Sequence, residues 1–446
     1  MRIRKVTIKG LFDLFDHEIP FKTKERVTII HGPNGVGKTT ILRLLADLFS
    51  RRLNSLRVIP YRILTIRFEK PDRTLTVQRI PPKKSNALAK LEFRLSGRGR
   101  RPDNHVEKEV PEDFRAARRV LPFHAMDDLV PSLERIGARQ WLDRRTGEVL
   151  DLEEVLMIYG DELPPEFQAA VVPRTQAWLK SHFDGFRVHF IQTQRLFAIQ
   201  PVSGTQRRYR ESKHSTTVER YSDEMVGRIQ DSLRQSGVIG ASLDRTFPHR
   251  LLQTAPPSDA TEERIRGRYE KQAEYRTRLM AAGLMDPEDP VELPSGTLDR
   301  SARNVLWHYL NDVDEKFSVY DTLLKRVELF KDIINTRFLY KKFSVNKEDG
   351  FVFETDKKKS VPLKTLSSGE QHELVLAFDL LFRVKEGTMI LIDEPELSLH
   401  VTWQHKFLED IARISELADL DFLVATHSPS IIHKKTHLMV PLGEKE

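Results

Sequence analysis

The stretch that most constrains this chain is Gly32-Pro33-Asn34-Gly35-Val36-Gly37-Lys38-Thr39. It follows a strand-like run, Val27-Thr28-Ile29-Ile30, and opens an apolar helical pattern from Thr40 to Phe49. Strand, GxxxxGK[ST] and helix together form the pattern of a phosphate-binding loop. The glycines let successive backbone N–H groups curl around a polyphosphate without side-chain clashes, and the helix N-terminus adds partial positive charge. In that pattern Lys38 reaches the β- and γ-phosphates, and the Thr39 hydroxyl ligates Mg²⁺. A chance match in a turn is the competing reading, and the flanking strand and helix argue against it.

A second set of motifs lies near the other end of the chain. Met389-Ile390-Leu391-Ile392-Asp393-Glu394 is an apolar run ending in two carboxylates. It reads as a buried parallel strand with its acids at the carboxyl end, where ligands sit in such sheets. There Asp393 would hold the Mg²⁺ shell and Glu394 would activate the attacking water; a plain acidic turn is the alternative. Leu366-Ser367-Ser368-Gly369-Glu370-Gln371 precedes a helix expected over His372–Phe382, giving small residues at a second anion-binding helix start. Thr426-His427-Ser428-Pro429 follows another buried strand, Asp421–Ala425, and makes His427 a γ-phosphate contact candidate rather than a merely structural histidine.

Between these ends the pattern changes character. Strands are expected at Ile3–Lys9, Phe15–Phe21 and Arg26–His31, then a hairpin of Arg62–Glu69 and Thr74–Arg79, with a further strand at Leu91–Leu95. A basic insertion runs from about 96 to 147, with Gly97-Arg98-Gly99-Arg100-Arg101-Pro102 read as a flexible loop and Arg115, Arg118 and Arg119 on a helix. A solvated surface accounts for it, and so does contact with nucleic acid or an acidic protein. A strand at Phe186–Ile191 leads into Gln192-Thr193-Gln194. Mostly helical pattern then fills 196–337, including a capping-box start at Asp259 and Glu262, a helix over Asp299–Phe317, and a seam of Tyr320, Leu323, Val327, Phe330 and Ile334. Strands return at Tyr340–Val345 and Phe351–Glu354 around Lys347-Glu348-Asp349-Gly350.

The ordered set of motifs resembles the ATP-binding-cassette ATPases of the SMC and RecF type. The resemblance implies an α/β fold: an ABC-type ATPase head, with a P-loop core sheet and an N-terminal antiparallel β lobe, interrupted by a helical arm insertion. It divides the chain into 1–195 and 338–446 as the two halves of the head, and 196–337 as the arm. In that family Gly32, Asn34, Gly35, Gly37, Lys38, Thr39 and Thr40 match the Walker A loop, and Gln194 or Gln192 the Q-loop that meets Mg²⁺. Ser367, Ser368, Gly369 and Glu370 match the signature motif that caps the nucleotide of a neighbouring copy. Asp393 and Glu394 match Walker B, Glu396-Leu397-Ser398-Leu399-His400 the D-loop, and His427 the switch histidine. Lys38, Glu394 and His427 are then catalytic, Thr39, Gln194 and Asp393 ligate Mg²⁺, and the nucleotide is ATP.

The wording Asp-Glu-Pro-Glu-Leu-Ser-Leu-His, followed by Trp403-Gln404, is similar to the OLD-type ATPases of bacterial defence, as is Phe190-Ile191-Gln192-Thr193-Gln194-Arg195-Leu196. With only 19 residues after His427, no TOPRIM domain is expected. That form resembles the ATPase subunits of the PARIS defence systems, with Septu next. The resemblance implies a homodimer or higher homo-oligomer that controls a separately encoded TOPRIM-like nuclease and responds to a phage-encoded trigger protein. A RecF- or SMC-like DNA-repair ATPase is the alternative, in keeping with a net charge of +7. A small-molecule kinase is disfavoured, since the Ser367–Glu370 stretch and the Asp393-Glu394 pair have no role in one. The chain has no cysteine, which excludes disulfides and thiolate metal sites and fits a cytoplasmic location, and no apolar run long enough to cross a membrane.

Overall fold

The computed structural model describes all residues except Arg52, 83–88, 98–99, 107–125, Pro131, 138–139, 144–148, 153–154, 156–158, 160–174, 193–215, 254–256, Asp259, Pro290, 398–400 and 444–446. In chain order the strands are β1 (Ile3–Leu11), β2 (Phe15–Pro20), β3 (Val27–His31), β4 (Ile63–Phe68), β5 (Arg73–Ile80), β6 (Lys90–Gly97), β7 (Arg100–Val106), β8 (Leu133–Arg135), β9 (Gln140–Asp143) and β10 (Val149–Asp151). After them come β11 (Arg187–Gln192), β12 (Lys341–Asn346), β13 (Gly350–Thr355), β14 (Thr388–Asp393), β15 (Asp421–Ala425) and β16 (Met439–Pro441). The main helices are α1 (Lys38–Phe49), α2 (Leu53–Val58), α3 (Thr175–Phe183), α4 (Thr217–Gln253), α5 (Glu262–Ala282), α6 (Arg300–Ser318), α7 (Asp321–Arg337), α8 (Ser368–Phe378) and α9 (Val401–Ala418). They form two compact units, Met1–Thr205 with Val384–Glu446, and Gln206–Arg383.

The first unit carries the core sheet, in the order β11-β14-β15-β3-β16, with every pairing parallel. Its central strands are continuously buried, Met389–Ile392 on β14 and Phe422–Ala425 on β15, because a parallel sheet is covered on both faces. A second sheet, β2-β1-β4-β5-β6-β7, is antiparallel throughout. Its strands alternate instead: Leu64, Ile66 and Phe68 are buried on β4, and Leu75 and Val77 on β5. One hydrophobic core joins Ile8, Leu42, Leu45, Leu64, Ile66 and Phe68 to Leu391 and Leu423, so α1 is held between the two sheets' apolar faces.

The insertion differs from its sequence reading. Arg100-Arg101-Pro102 lies in β7, paired with β6 across Gly97 and Arg100, rather than in a loop. Proline is tolerated there because β7 is an edge strand. Arg115, Arg118 and Arg119 fall outside the described residues. Beyond them, Met126, Val130, Leu133, Trp141, Leu150, Leu152, Val155 and Tyr159 form a small separate core around the sheet β10-β9-β8.

In the second unit α4 packs on α6, α6 on α5, and α7 against α8 and the β12–β13 hairpin. The seam residues Tyr320, Val327, Phe330 and Ile334 are buried as expected, while Leu324 takes the buried place expected of Leu323. Helix α5 is capped by the Thr261 side chain, which accepts from the Arg264 N–H; Asp259 lies outside the described residues. Asp299 caps α6 as its sequence position implies. This unit extends to Arg383, past the expected arm boundary at 337, and so takes in the hairpin and the signature helix. The reason is aromatic packing: the Phe330 ring meets Phe343, Phe351, Phe378 and Phe382 at centroid distances of 5.2, 5.6, 6.0 and 5.7 Å.

Candidate nucleotide site

The strand register places the site. Ile30 on β3 is level with Ala425 on β15, and Ala425 with Asp393 on β14. The residues after these three, the phosphate loop, Thr426-His427 and Glu394, therefore emerge together at the carboxyl edge of the sheet, where the neighbouring helix starts. Gln192 closes β11 level with Asp393; Gln194 lies outside the described residues.

The phosphate loop runs from β3 into α1, with Gly35 at φ +89° and Gly37, the residue capping α1, at φ +93°. Both conformations belong to the left-handed region that glycine adopts without steric cost. Asn34 and Gly35 are exposed, whereas the Lys38 side chain is folded in, its ammonium donating to the Gly32 carbonyl at 2.8 Å and the Pro33 carbonyl at 3.1 Å. Those carbonyls hold the cation beside the loop without neutralising it, so its charge is kept for an anion.

Thr39 Oγ1 donates to Asp393 Oδ1 at 3.1 Å, closing a gap of 354 residues in sequence. Burial pushes the Asp393 carboxyl above its ordinary pKa; the Thr39 hydroxyl opposes this, and the charges of Glu394 and Glu396 add to it. A hydroxyl and a carboxylate oxygen side by side, in a site rich in negative charge, suit a hard divalent cation such as Mg²⁺.

Glu394 has φ +46°, a left-handed conformation unusual for a glutamate, and its N–H is fixed by the Ala425 carbonyl at 2.8 Å. Backbone strain of this kind persists where surrounding contacts over-determine it, as at active sites. Across from it, His427 Nδ1 is 3.7 Å from Glu394 Oε1. The two predicted catalytic groups are thus neighbours, at the ends of adjacent strands.

The residue that sequence reasoning undervalued is Glu396. Its sequence position matches the D-loop, whose Ser398, Leu399 and His400 lie outside the described residues. Its side chain is only 7% exposed. Oε1 accepts from the Thr426 hydroxyl at 2.7 Å and the His427 N–H at 3.1 Å, and lies 3.3 Å from His427 Nδ1. Gln404 Nε2 donates to the Glu396 carbonyl, and Ser428 Oγ donates to Gln404 Oε1. A carboxylate two residues after a strand-end Asp-Glu pair, with a threonine before the histidine of the next strand, is the pattern that could have pointed to it.

The signature residues lie in the second unit. Ser367 caps α8, and with Glu370 it forms a full capping box: Ser367 Oγ accepts from the Glu370 N–H, and Glu370 Oε2 from the Ser367 N–H. Lys341 Nζ also meets the Glu370 carboxylate, at 2.7 and 2.8 Å. Burial pushes that carboxyl up, but Lys341 and Ser367 together hold it below its ordinary pKa. Glu370 is therefore occupied in shaping the helix start, leaving Ser368 and Gly369 in the first turn of α8. The helix begins four residues earlier than its apolar pattern suggested and ends in a π-turn, Asp379–Arg383. Arg337 and Glu373, both buried, pair at 2.9 Å beneath it.

Two family models match the chain. One, described as "AAA domain, putative AbiEii toxin, Type IV TA system", covers residues 232–433, and the other, described as "AAA domain", covers residues 5–149. The zinc import ATP-binding protein ZnuC of Rickettsia bellii is 28% identical over 131 residues, 29% of this chain and 54% of that protein, so the match spans about half of that relative's length. Among solved structures, the Smc head domain with an extended coiled coil from Pyrococcus furiosus aligns at 13% identity over 99% of this chain and 93% of that one, with a TM-score of 0.35. The SMC head domain from Thermotoga maritima aligns at 12% identity over 97% and 91%, with a TM-score of 0.31. Both family models describe AAA domains, and together with the motif set they support an ATP-binding protein of the AAA/ABC type. Among the described residues no helix is long and apolar enough to cross a membrane.

Proposed function

We propose that this AAA/ABC-type ATPase hydrolyses ATP with Mg²⁺ and serves as the sensor and scaffold of a bacterial antiphage system, controlling a separately encoded nuclease of TOPRIM-like type. One observation carries the enzymatic part: the Thr39 hydroxyl meets Asp393 at 3.1 Å, with Glu394 next to it and His427 3.7 Å from Glu394. Thr39 and Asp393 would hold Mg²⁺, which screens phosphate charge when bound. Lys38 and the loop N–H groups bind the β- and γ-phosphates, Glu394 takes the proton of the attacking water, and His427 contacts the γ-phosphate. Ser368 and Gly369 complete the site of a neighbouring copy, so ATP joins two heads and hydrolysis separates them.

The defence role rests on the Asp393–His400 wording and on the matched family, whose description names a toxin of a type IV toxin–antitoxin system. In this reading a phage-encoded trigger changes the ATP-held assembly and releases the effector. The decisive experiment uses Glu394→Gln. It is expected to bind ATP, to turn it over roughly 10²–10⁴-fold more slowly, and to accumulate as an ATP-bound oligomer in light scattering. Unchanged turnover would remove Glu394 as the base. Duplex-DNA binding that weakens steeply with salt, with no effect of ATP on a co-expressed nuclease, would favour a RecF- or SMC-like repair role instead.

A further inference from the structure

The phosphate loop is gripped from outside by a residue that no motif contains. His17, on β2 of the antiparallel sheet, is 3% exposed, and its Nε2 lies 2.9 Å from the Val36 carbonyl oxygen. A carbonyl can only accept, so Nε2 carries the proton and donates. Burial lowers the pKa of the ring, against the opposing pull of the Val36 carbonyl and Asp16, so a neutral imidazole with its one proton on Nε2 is the favoured form. Phe15 stacks on the ring at 5.7 Å and fixes its plane.

The position of this contact is what gives it meaning. Val36 stands between Gly35 and Gly37, the two loop residues with φ near +90°. Its side chain is buried, and a Cβ on Gly37 would come within 2.5 Å of Leu11 Cδ2, so the loop rests directly on β1. The Val36 carbonyl and the Gly37 N–H belong to one planar peptide and point in opposite directions. Holding the carbonyl outward toward His17 turns the Gly37 N–H to the opposite side, the side on which such loops take phosphate. A hydrogen bond to the carbonyl also polarises the same amide and strengthens its N–H as a donor.

We propose that His17 is a positioning residue of the phosphate loop, orienting and polarising the Val36–Gly37 peptide for nucleotide phosphate. This inference rests on the nucleotide-binding reading of the loop and adds to it a residue from the second sheet.

The test compares His17→Leu, which removes the donor, with His17→Gln, which can restore an N–H. Two readouts are used: amide exchange at Gly37 and Lys38 without nucleotide, and ATP affinity by calorimetry. In His17→Leu the two amides are expected to exchange at least tenfold faster, and the Kd for ATP to rise on the order of 10- to 100-fold, as for loss of one buried donor. His17→Gln is expected to recover both to within about threefold of the parent. Unchanged exchange in His17→Leu, or exchange in His17→Gln as fast as in His17→Leu, overturns the assignment. If His17→Leu does not fold, the His17→Gln comparison with the parent decides by the same threefold criterion. A parent protein that binds no ATP would remove the nucleotide-binding reading, and the exchange comparison would still decide the role of His17.

Discussion

Truncating Glu396 to alanine is the sharpest probe of how the two strand ends work together. The substitution deletes a buried acceptor that serves the Thr426 hydroxyl at 2.7 Å and the His427 N–H at 3.1 Å. Hydrogen bonds to a charged group contribute about 1.5–3 kcal/mol each, so for the two about 3–6 kcal/mol of local order is at stake. Not all of it would appear as lost global stability, because the turn keeps other anchors: Thr426 N–H on the Ile30 carbonyl and Ser428 N–H on Thr426 Oγ1. The main consequence is a looser His427 beside Glu394, and misplacement of a reacting group by about 1 Å costs roughly 10²-fold in rate. Steady-state ATPase assays of Glu396→Ala should therefore show kcat lower by roughly 10²–10³-fold with KM within about threefold. Glu396→Gln, which keeps an oxygen at Oε1, should recover to within about tenfold of the parent. A rise in KM at unchanged kcat would mean that only uniform binding had been lost and would refute this reasoning. So would a kcat within about twofold of the parent in a correctly folded Glu396→Ala protein.

Two further predictions concern stability. Phe330→Ala empties the centre of the aromatic cluster of the second unit, where Phe330 is fully buried, and should cost about 3–5 kcal/mol in urea denaturation; a loss under about 1 kcal/mol would show that the ring is not the keystone its contacts imply. His17 and His372 are both pushed by burial below the ordinary histidine value of 6.5, so the unfolded chain binds protons there more readily than the folded one. Their contribution is therefore complete above pH 6.5 and lost as pH falls from there toward their lowered values, with a slope of at most about 1.4 kcal/mol per pH unit for each. Unfolding midpoints between pH 7.5 and 5.5 should fall less in His17→Gln than in the parent, and an equal fall would contradict the assignment.

Much of this molecule was legible before any coordinates. The phosphate loop, the Asp393-Glu394 strand end and the Thr426-His427 strand end are local signals: each needs only a buried strand, a turn and a residue of the right chemistry. Strand periodicity likewise separated the alternating sheet of β1 and β4 from the continuously apolar β14. Two kinds of fact lay beyond such reading. Packing moved the hairpin and α8 into the helical unit, because Phe330, Phe343, Phe351 and Phe378 are separated in sequence and meet only when folded. The cap of α5 is the Thr261 side chain, and which nearby oxygen caps a helix depends on backbone angles that composition does not encode.

The same division holds within the site. Local motifs nominated the candidates for binding phosphate, holding Mg²⁺ and activating water, since those tasks depend on side-chain chemistry at short, recognisable spacings. Tertiary structure alone decided that Thr39 meets Asp393, that Glu396 serves the His427 turn, and that His17 grips Val36. Each joins groups from different strands, and only the register of a folded sheet brings such groups to hydrogen-bond distance.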